Sequence, residues 1–229
     1  MTSRKQLHLK TDEIAEAAFD AGKWIEHNWR RAVAYAGVVA GIVLIAAVWF
    51  WMAAEKRAKA EALLADAQNQ YELAAVNRFS NEDELAAVLE LFDEVIAKSG
   101  GSGAGQIARF YRGATQSHMG RHDAAIESLE PVTYSSGTPS TVLSSAEALL
   151  ANVYVEAGQA DKAIAFLKDV AEMGDPHLPA EQAWLQLGRI HRDQGDVTQA
   201  RRVWQRVASG FQRTTAGDEA QQLIDALPL

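Results

Sequence analysis

Hydrophobic and polar positions fall into two regimes along this chain. From Ala32 to Ala54 (AVAYAGVVAGIVLIAAVWFWMAA), 23 consecutive residues carry no charge. At about 1.5 Å per helical residue the run spans roughly 35 Å, enough to cross a hydrocarbon core of about 30 Å. Arg30 and Arg31 bound it on one side, and Glu55, Lys56 and Arg57 on the other. Trp29 and Trp49 lie 20 residues apart, with Trp51 just beyond, a separation that suits the two membrane–water interfaces. The pattern predicts a transmembrane helix over 32–54. A secretory signal has an apolar core of only about 7–15 residues. Here 31 residues precede the run, and Trp49, Phe50, Trp51 and Met52 stand where small cleavage-site residues would be needed, so the segment reads as an uncleaved anchor.

Past the anchor the apolar positions recur at helical spacing. No Gly or Pro occurs between Gly41 and Gly100, which predicts that the membrane helix continues outward as one rod through Ala60, Leu63, Leu64 and Tyr71. Ser80-Asn81-Glu82-Asp83-Glu84 offers a helix cap and an acidic first turn. Leu85, Val88, Leu89, Phe92, Val95 and Ile96 then form one stripe. Residues 55–99 read as a helical stalk and a degenerate first repeat.

A period follows. Gly120, Gly158 and Gly195 lie 38 and 37 residues apart. Seven residues before each stands a small residue (Gly113, Ala151, Gly188), and five after each stands Ala125, Ala163 or Ala200. Nine after comes a large apolar group (Leu129, Leu167, Trp204), and twelve after comes Val132, Val170 or Val207. This is the register of a helix–turn–helix unit. The small residue lets two helices approach, the glycine ends the first helix where φ > 0 is needed, and the alanine and large residue close the gap. The register resembles the tetratricopeptide repeat. The best copy is Trp184-x-x-Leu187-Gly188-x-x-His191 with Gly195, Ala200 and Trp204. The second is Leu150-Ala151-x-x-Tyr154 with Gly158, Ala163-Ile164, Leu167 and Asp175-Pro176. The first copy puts Arg109 and Arg112 at two usually apolar positions. Three such repeats cover 104–215, and 216–229, with Ala220, Leu223, Ile224 and Leu227 apolar, reads as a C-terminal capping helix of the kind stacked repeats need. The expected fold is all-α: a single transmembrane helix followed by a tetratricopeptide-repeat-like α-solenoid.

Charge narrows the function. Residues 55–229 carry 16 basic and 25 acidic side chains, a net of −9, which disfavours nucleic-acid partners because phosphate contacts need clustered Lys/Arg. The tail 1–31 carries six Lys/Arg against three (Lys56, Arg57, Lys59) on the far flank, and the count is three against three within about 15 residues of the span. Over the whole tail this is a bias for a cytoplasmic N-terminus, with the C-terminal part outside. Its Ile14, Ala18, Ala21 and Ile25 form a stripe suited to a surface helix at the lipid. There is no cysteine, which excludes thiol redox chemistry and Cys-ligated metals. His118 and His122 have a metal-ligand spacing, but Gly120 at the repeat turn keeps them off one helix. The glycine run 99–105 lacks the Gly-Lys-Ser/Thr of a phosphate loop and reads as a flexible linker between repeats. No catalytic constellation, cofactor site or metal site is expected, and the chain reads as a non-enzyme. In the membrane run, Gly37-x-x-x-Gly41 gives a small-residue face suited to close helix packing, with a partner or a second copy.

The resemblance to tetratricopeptide repeats implies a concave face lined by the first helix of each pair. Its positions here are Phe110, Ala114, Ser117 and His118; Ala148, Asn152, Val155 and Glu156; and Leu185, Arg189, Arg192 and Asp193. Phe110, His118, Asn152, Glu156, Arg189 and Arg192 are the candidate partner-binding residues. The whole layout, with Trp24-Ile25-Glu26-His27-Asn28-Trp29-Arg30-Arg31 before the span and a charged, Ala-rich helix after it, resembles the bacterial YfgM-like family, ancillary subunits of the Sec translocon. That resemblance implies a bacterial inner-membrane protein with its C-terminal domain in the periplasm. Its partners would be the Sec translocon and a periplasmic chaperone, in a task that assists exported proteins. A structural scaffold subunit of another envelope complex, for outer-membrane assembly or polysaccharide export, is the alternative.

Overall fold

A computed structural model describes residues 29–173 and 177–228. The expected surface helix of the N-terminal tail, the cues 24–28 and Asp175-Pro176 lie outside the described residues. The chain divides into two compact units, Met1–Lys56 and Arg57–Leu229. Among the described residues there are nine helices and no strand.

Helix α1 (Trp29–Val76) runs 48 residues without a break, as the lack of Gly and Pro after Gly41 leads one to expect. Within the first unit its apolar side chains are exposed: Val38, Ile42, Ile45, Trp49 and Phe50 all lie open. It is the one helix among the described residues that is long and apolar enough, by length and composition, to cross a membrane. A methyl group added at Gly37 or Gly41 would meet nothing within 4 Å in this chain.

The second unit is a series of antiparallel helix pairs. The end of α1 packs on α2 (Glu82–Ser99) through Leu64, Ala67 and Tyr71. Helix α3 (Gly103–His118) pairs with α4 (His122–Thr133), α5 (Ser140–Glu156) with α6 (Ala160–Glu172), and α7 (Ala180–Asp193) with α8 (Val197–Gly210). Helix α9 (Thr215–Asp225) packs on the last pair. Leu64 and Ala67 of α1, Val88, Phe92 and Val95 of α2 and Ala108 of α3 form one apolar cluster. A larger cluster runs from Ala125 of α4 to Leu227 after α9 and includes Leu129, Leu150, Leu167 and Trp204. The cap of α2 is Asn81, whose side-chain oxygen accepts from the amides of Asp83 and Glu84.

The three periodic glycines close three like turns. Gly120, Gly158 and Gly195 have φ of 69°, 73° and 82°, which glycine adopts without the steric cost other residues incur. In each turn the amide after the glycine bonds back to a carbonyl five residues earlier: Arg121 to Gln116 at 2.9 Å, Gln159 to Tyr154 at 2.7 Å, and Asp196 to His191 at 2.8 Å. Those bonds satisfy helix-end carbonyls in the manner of a Schellman cap. The small residues sit where helices touch. A Cβ at Gly188 would lie 2.2 Å from the Trp204 indole nitrogen, and one at Gly113 would lie 2.6 Å from Leu129 Cγ. Trp204 is fully buried and donates to the Leu185 carbonyl at 3.1 Å.

Two details differ from the sequence reading. The glycine run is a packed turn, not a flexible linker. Helix α2 ends at Ser99, and Gly103 and Gly105 are already in the first turn of α3, capped by Ser102. A Cβ at Gly105 would lie 2.3 Å from the Ser99 carbonyl, so glycine there lets two backbones meet. The arginines of the first repeat are the second detail. Arg112 donates to the buried Ser128 hydroxyl at 3.0 Å and to Asp93 at 2.8 Å, and Ser128 in turn donates to Gln116 at 2.6 Å. Arg109 donates to the Gly100 carbonyl. A satisfied polar network replaces the usual apolar contact, which is how buried polar groups are tolerated.

Candidate functional site

Turns at fixed spacing put α5 and α7, the first helices of two successive pairs, side by side. Their facing residues enclose a groove of about 540 Å³. Ala148, Asn152, Val155 and Glu156 come from α5, and Leu185, Gln186, Arg189, Ile190 and Asp193 from α7. Glu219 of α9 closes one side. Of the six partner-binding candidates, Asn152, Glu156 and Arg189 thus share one concavity. Arg192 lies beside it, bonded through its Nε to Asp193 at 2.8 Å and 6.0 Å above the Trp204 ring.

The two candidates of the first repeat are elsewhere. Phe110 packs on the main apolar cluster, edge-on to Tyr111 with centroids 5.2 Å apart. His118 stacks on Phe79, with centroids 3.8 Å apart and planes 14° from parallel. The reason is the leading helix pair. The turn between α1 and α2 carries Arg78 and Phe79 at φ of 55° and 53°, a region that L side chains rarely occupy. That conformation lays Phe79 between Tyr71, 5.3 Å away, and the His118 ring.

The groove's polar groups are largely engaged with one another. The Gln186 amide donates to Asn152 Oδ1 at 2.6 Å and to the Ala148 carbonyl at 3.2 Å. Arg189 pairs with Glu219. Glu156 accepts from Ser117 at 3.3 Å and lies 3.3 Å from His122 Nδ1. The lining mixes apolar side chains with amides and charged groups. Gln186 and Glu219 were not among the residues singled out from sequence. Gln186 is one position after the lining residue Leu185, and Glu219 belongs to the cap, outside the repeat register that served as the guide.

Burial perturbs a few groups. The His118 imidazole is held below its ordinary range by partial burial, with the Glu156 carboxylate pulling it back up. Burial pushes the Tyr154 hydroxyl well above the usual phenol range, and its bond to Glu130 at 2.6 Å adds to the shift. His118 ends α3 and His122 begins α4, so they share no helix. Among the described residues no group of three His, Cys, Asp or Glu has a metal-holding arrangement.

Comparison with known proteins agrees with the pairwise helical stack. A family model for the tetratricopeptide repeat-like domain matches residues 23–227. The crystal structure of nearly identical TPR-like repeats of a candidate kinesin light chain from Podosopora anserina is similar, at 18% identity and a TM-score of 0.51. The match covers 70% of this chain and 84% of that one. A single-substitution variant of the same repeats gives the same values. At that identity the likeness speaks for the fold alone. No curated protein matches the chain at a significant level. The family it indicates is a repeat fold typical of non-catalytic scaffolds and not an enzyme family. With its helix pairs, glycine turns and close contacts at Gly113 and Gly188, the chain belongs to the tetratricopeptide repeat-like domain family.

Proposed function

We propose that this protein is an inner-membrane-anchored adaptor whose repeat unit faces the periplasm, binds partner proteins, and works beside the Sec translocon to assist exported chains. Repeats of this family point to protein partners. The observation that carries the reading is the joining of an exposed apolar helix, long enough to cross a bilayer, to a repeat unit with a groove of about 540 Å³. The more specific Sec assignment rests on the resemblance in layout described above. The small face at Gly37 and Gly41 gives the span a surface on which another helix packs closely, from the channel or from a second copy.

A photo-crosslinking amino acid at Val155, part-exposed in the groove, tests the partner in native membranes. The expected product is a crosslink to an exported chain or a periplasmic chaperone, with the Sec channel recovered in the same solubilised complex. Recovery of an outer-membrane-assembly or polysaccharide-export machine in its place would overturn the Sec assignment and favour the scaffold alternative.

A further inference from the structure

A second, smaller cavity of about 290 Å³ lies away from the groove, under the α4–α5 loop and beside the C-terminal end of α6. Leu143, Phe166, Val170 and Met173 make its apolar wall, Tyr134 stands at its rim, and Glu147 lines it. Glu147 is only 3% exposed. One carboxylate oxygen accepts the Leu178 amide at 2.9 Å, and among the described residues no Lys, Arg or His nitrogen lies within ion-pair distance of it. A carboxylate taken out of water without a counter-charge is costly. Burial accordingly pushes its pKa up, while the Leu178 amide and the nearby His177 offset part of that. At the rim, among Ser135, Ser136, Thr138 and His177, two large side chains stand open: Tyr134 is 73% and Met173 49% exposed. Aromatic and methionine side chains are the ones enriched where proteins meet, and an aromatic ring also favours a cation over a neutral stem.

We propose that this cavity takes one lysine or arginine side chain of a partner protein, its aliphatic stem against Met173 and Tyr134 and its cationic head on Glu147. The volume admits one long side chain and not a drug-sized ligand. Residues 55–229 carry a net −9, which attracts basic segments to the unit as a whole, and Glu147 is the acidic residue that lines the cavity. The proposal leans on the adaptor reading only in taking the cation from a protein.

The test uses the full chain in detergent with carbon-13 methyl-labelled methionines, which gives signals from only four residues. Titrants are acetyl-Leu-Lys-Leu-amide, its norleucine analogue, and n-butylammonium. The lysine peptide is expected to shift the Met173 methyl about tenfold more tightly than the norleucine peptide, a difference of about 1.4 kcal/mol, and Glu147→Gln is expected to erase that preference. Tyr134→Ala should weaken the lysine peptide several-fold. Equal binding of lysine and norleucine peptides, or no Met173 response, would overturn the proposal. Butylammonium binding as tightly as the peptide would overturn its assignment to a protein partner. If Glu147→Gln does not fold, the lysine–norleucine comparison on the unaltered chain still decides. None of these readouts depends on whether crosslinks from Val155 reach the Sec channel.

Discussion

At the residue scale, stability depends on a few positions where no atom can be added. Gly188 is the sharpest. A methyl there must displace the Trp204 indole, which is both fully buried and hydrogen-bonded. Gly188→Ala is expected to cost about 1–3 kcal/mol in a denaturant melt, and Trp204→Leu in the same chain should recover part of it, because the overlapping ring atoms are gone. Gly158 is different: its Cβ position is open, and only its φ of 73° resists a side chain. Gly158→Ala should therefore cost about 1–2 kcal/mol whatever stands opposite, and no second substitution should rescue it. His118 adds a pH term. Burial lowers its pKa from 6.5, so the unfolded chain binds that proton more tightly than the folded one. The contribution is intact above the unfolded value and is lost as pH falls through the lower folded value. The melting midpoint of the unaltered protein should fall more between about pH 7 and about pH 5 than that of His118→Phe, which keeps a ring on Phe79 without titrating. Equal slopes would remove His118 from the account.

At the level of elements, what was legible in the sequence was whatever obeys a period. Gly120, Gly158 and Gly195, the small residues seven positions earlier, and the apolar groups nine positions later all fall at turns and contacts of α3 through α8, because one local geometry is used three times. The leading pair was harder to read. Its turn uses Arg78 and Phe79 where the others use glycine, and nothing in their identity announces a left-handed conformation. The consequence for the site was concrete: Phe79 covers His118, and the groove keeps only Asn152, Glu156 and Arg189 of the six candidates. The run 99–105 misled for the opposite reason, since glycines that signal flexibility in solution are also the ones that let Ser99 and Gly105 touch. Between elements, single bonds tie neighbouring pairs. Tyr154 to Glu130 joins α5 to α4 at 2.6 Å, and Tyr154→Phe should cost about 0.5–1.5 kcal/mol. Removing residues 214–229 takes away Ala220 and Ile224, both buried in the main cluster. A chain truncated there should keep its earlier hairpins folded but expose the apolar face of α7 and α8 and aggregate, as a stack without its terminal cap does.

For the whole molecule, the exposed apolar stretch of α1 sets the solubility. The protein is expected to stay in the membrane pellet after alkaline carbonate extraction, and a chain lacking residues 1–56 is expected to remain in the supernatant. An unaltered chain released by carbonate would contradict an integral span. Protease added outside spheroplasts should digest the repeat unit of the proposed orientation and leave the first 31 residues protected. Side-chain bonds that join successive hairpins span 19 to 39 residues along the chain, and this gives the protein a freedom in how it is born. Every hairpin finds all its native neighbours once about forty further residues have emerged. Maturation can therefore keep pace with synthesis or threading, and the final residues are not needed for the earlier ones to settle.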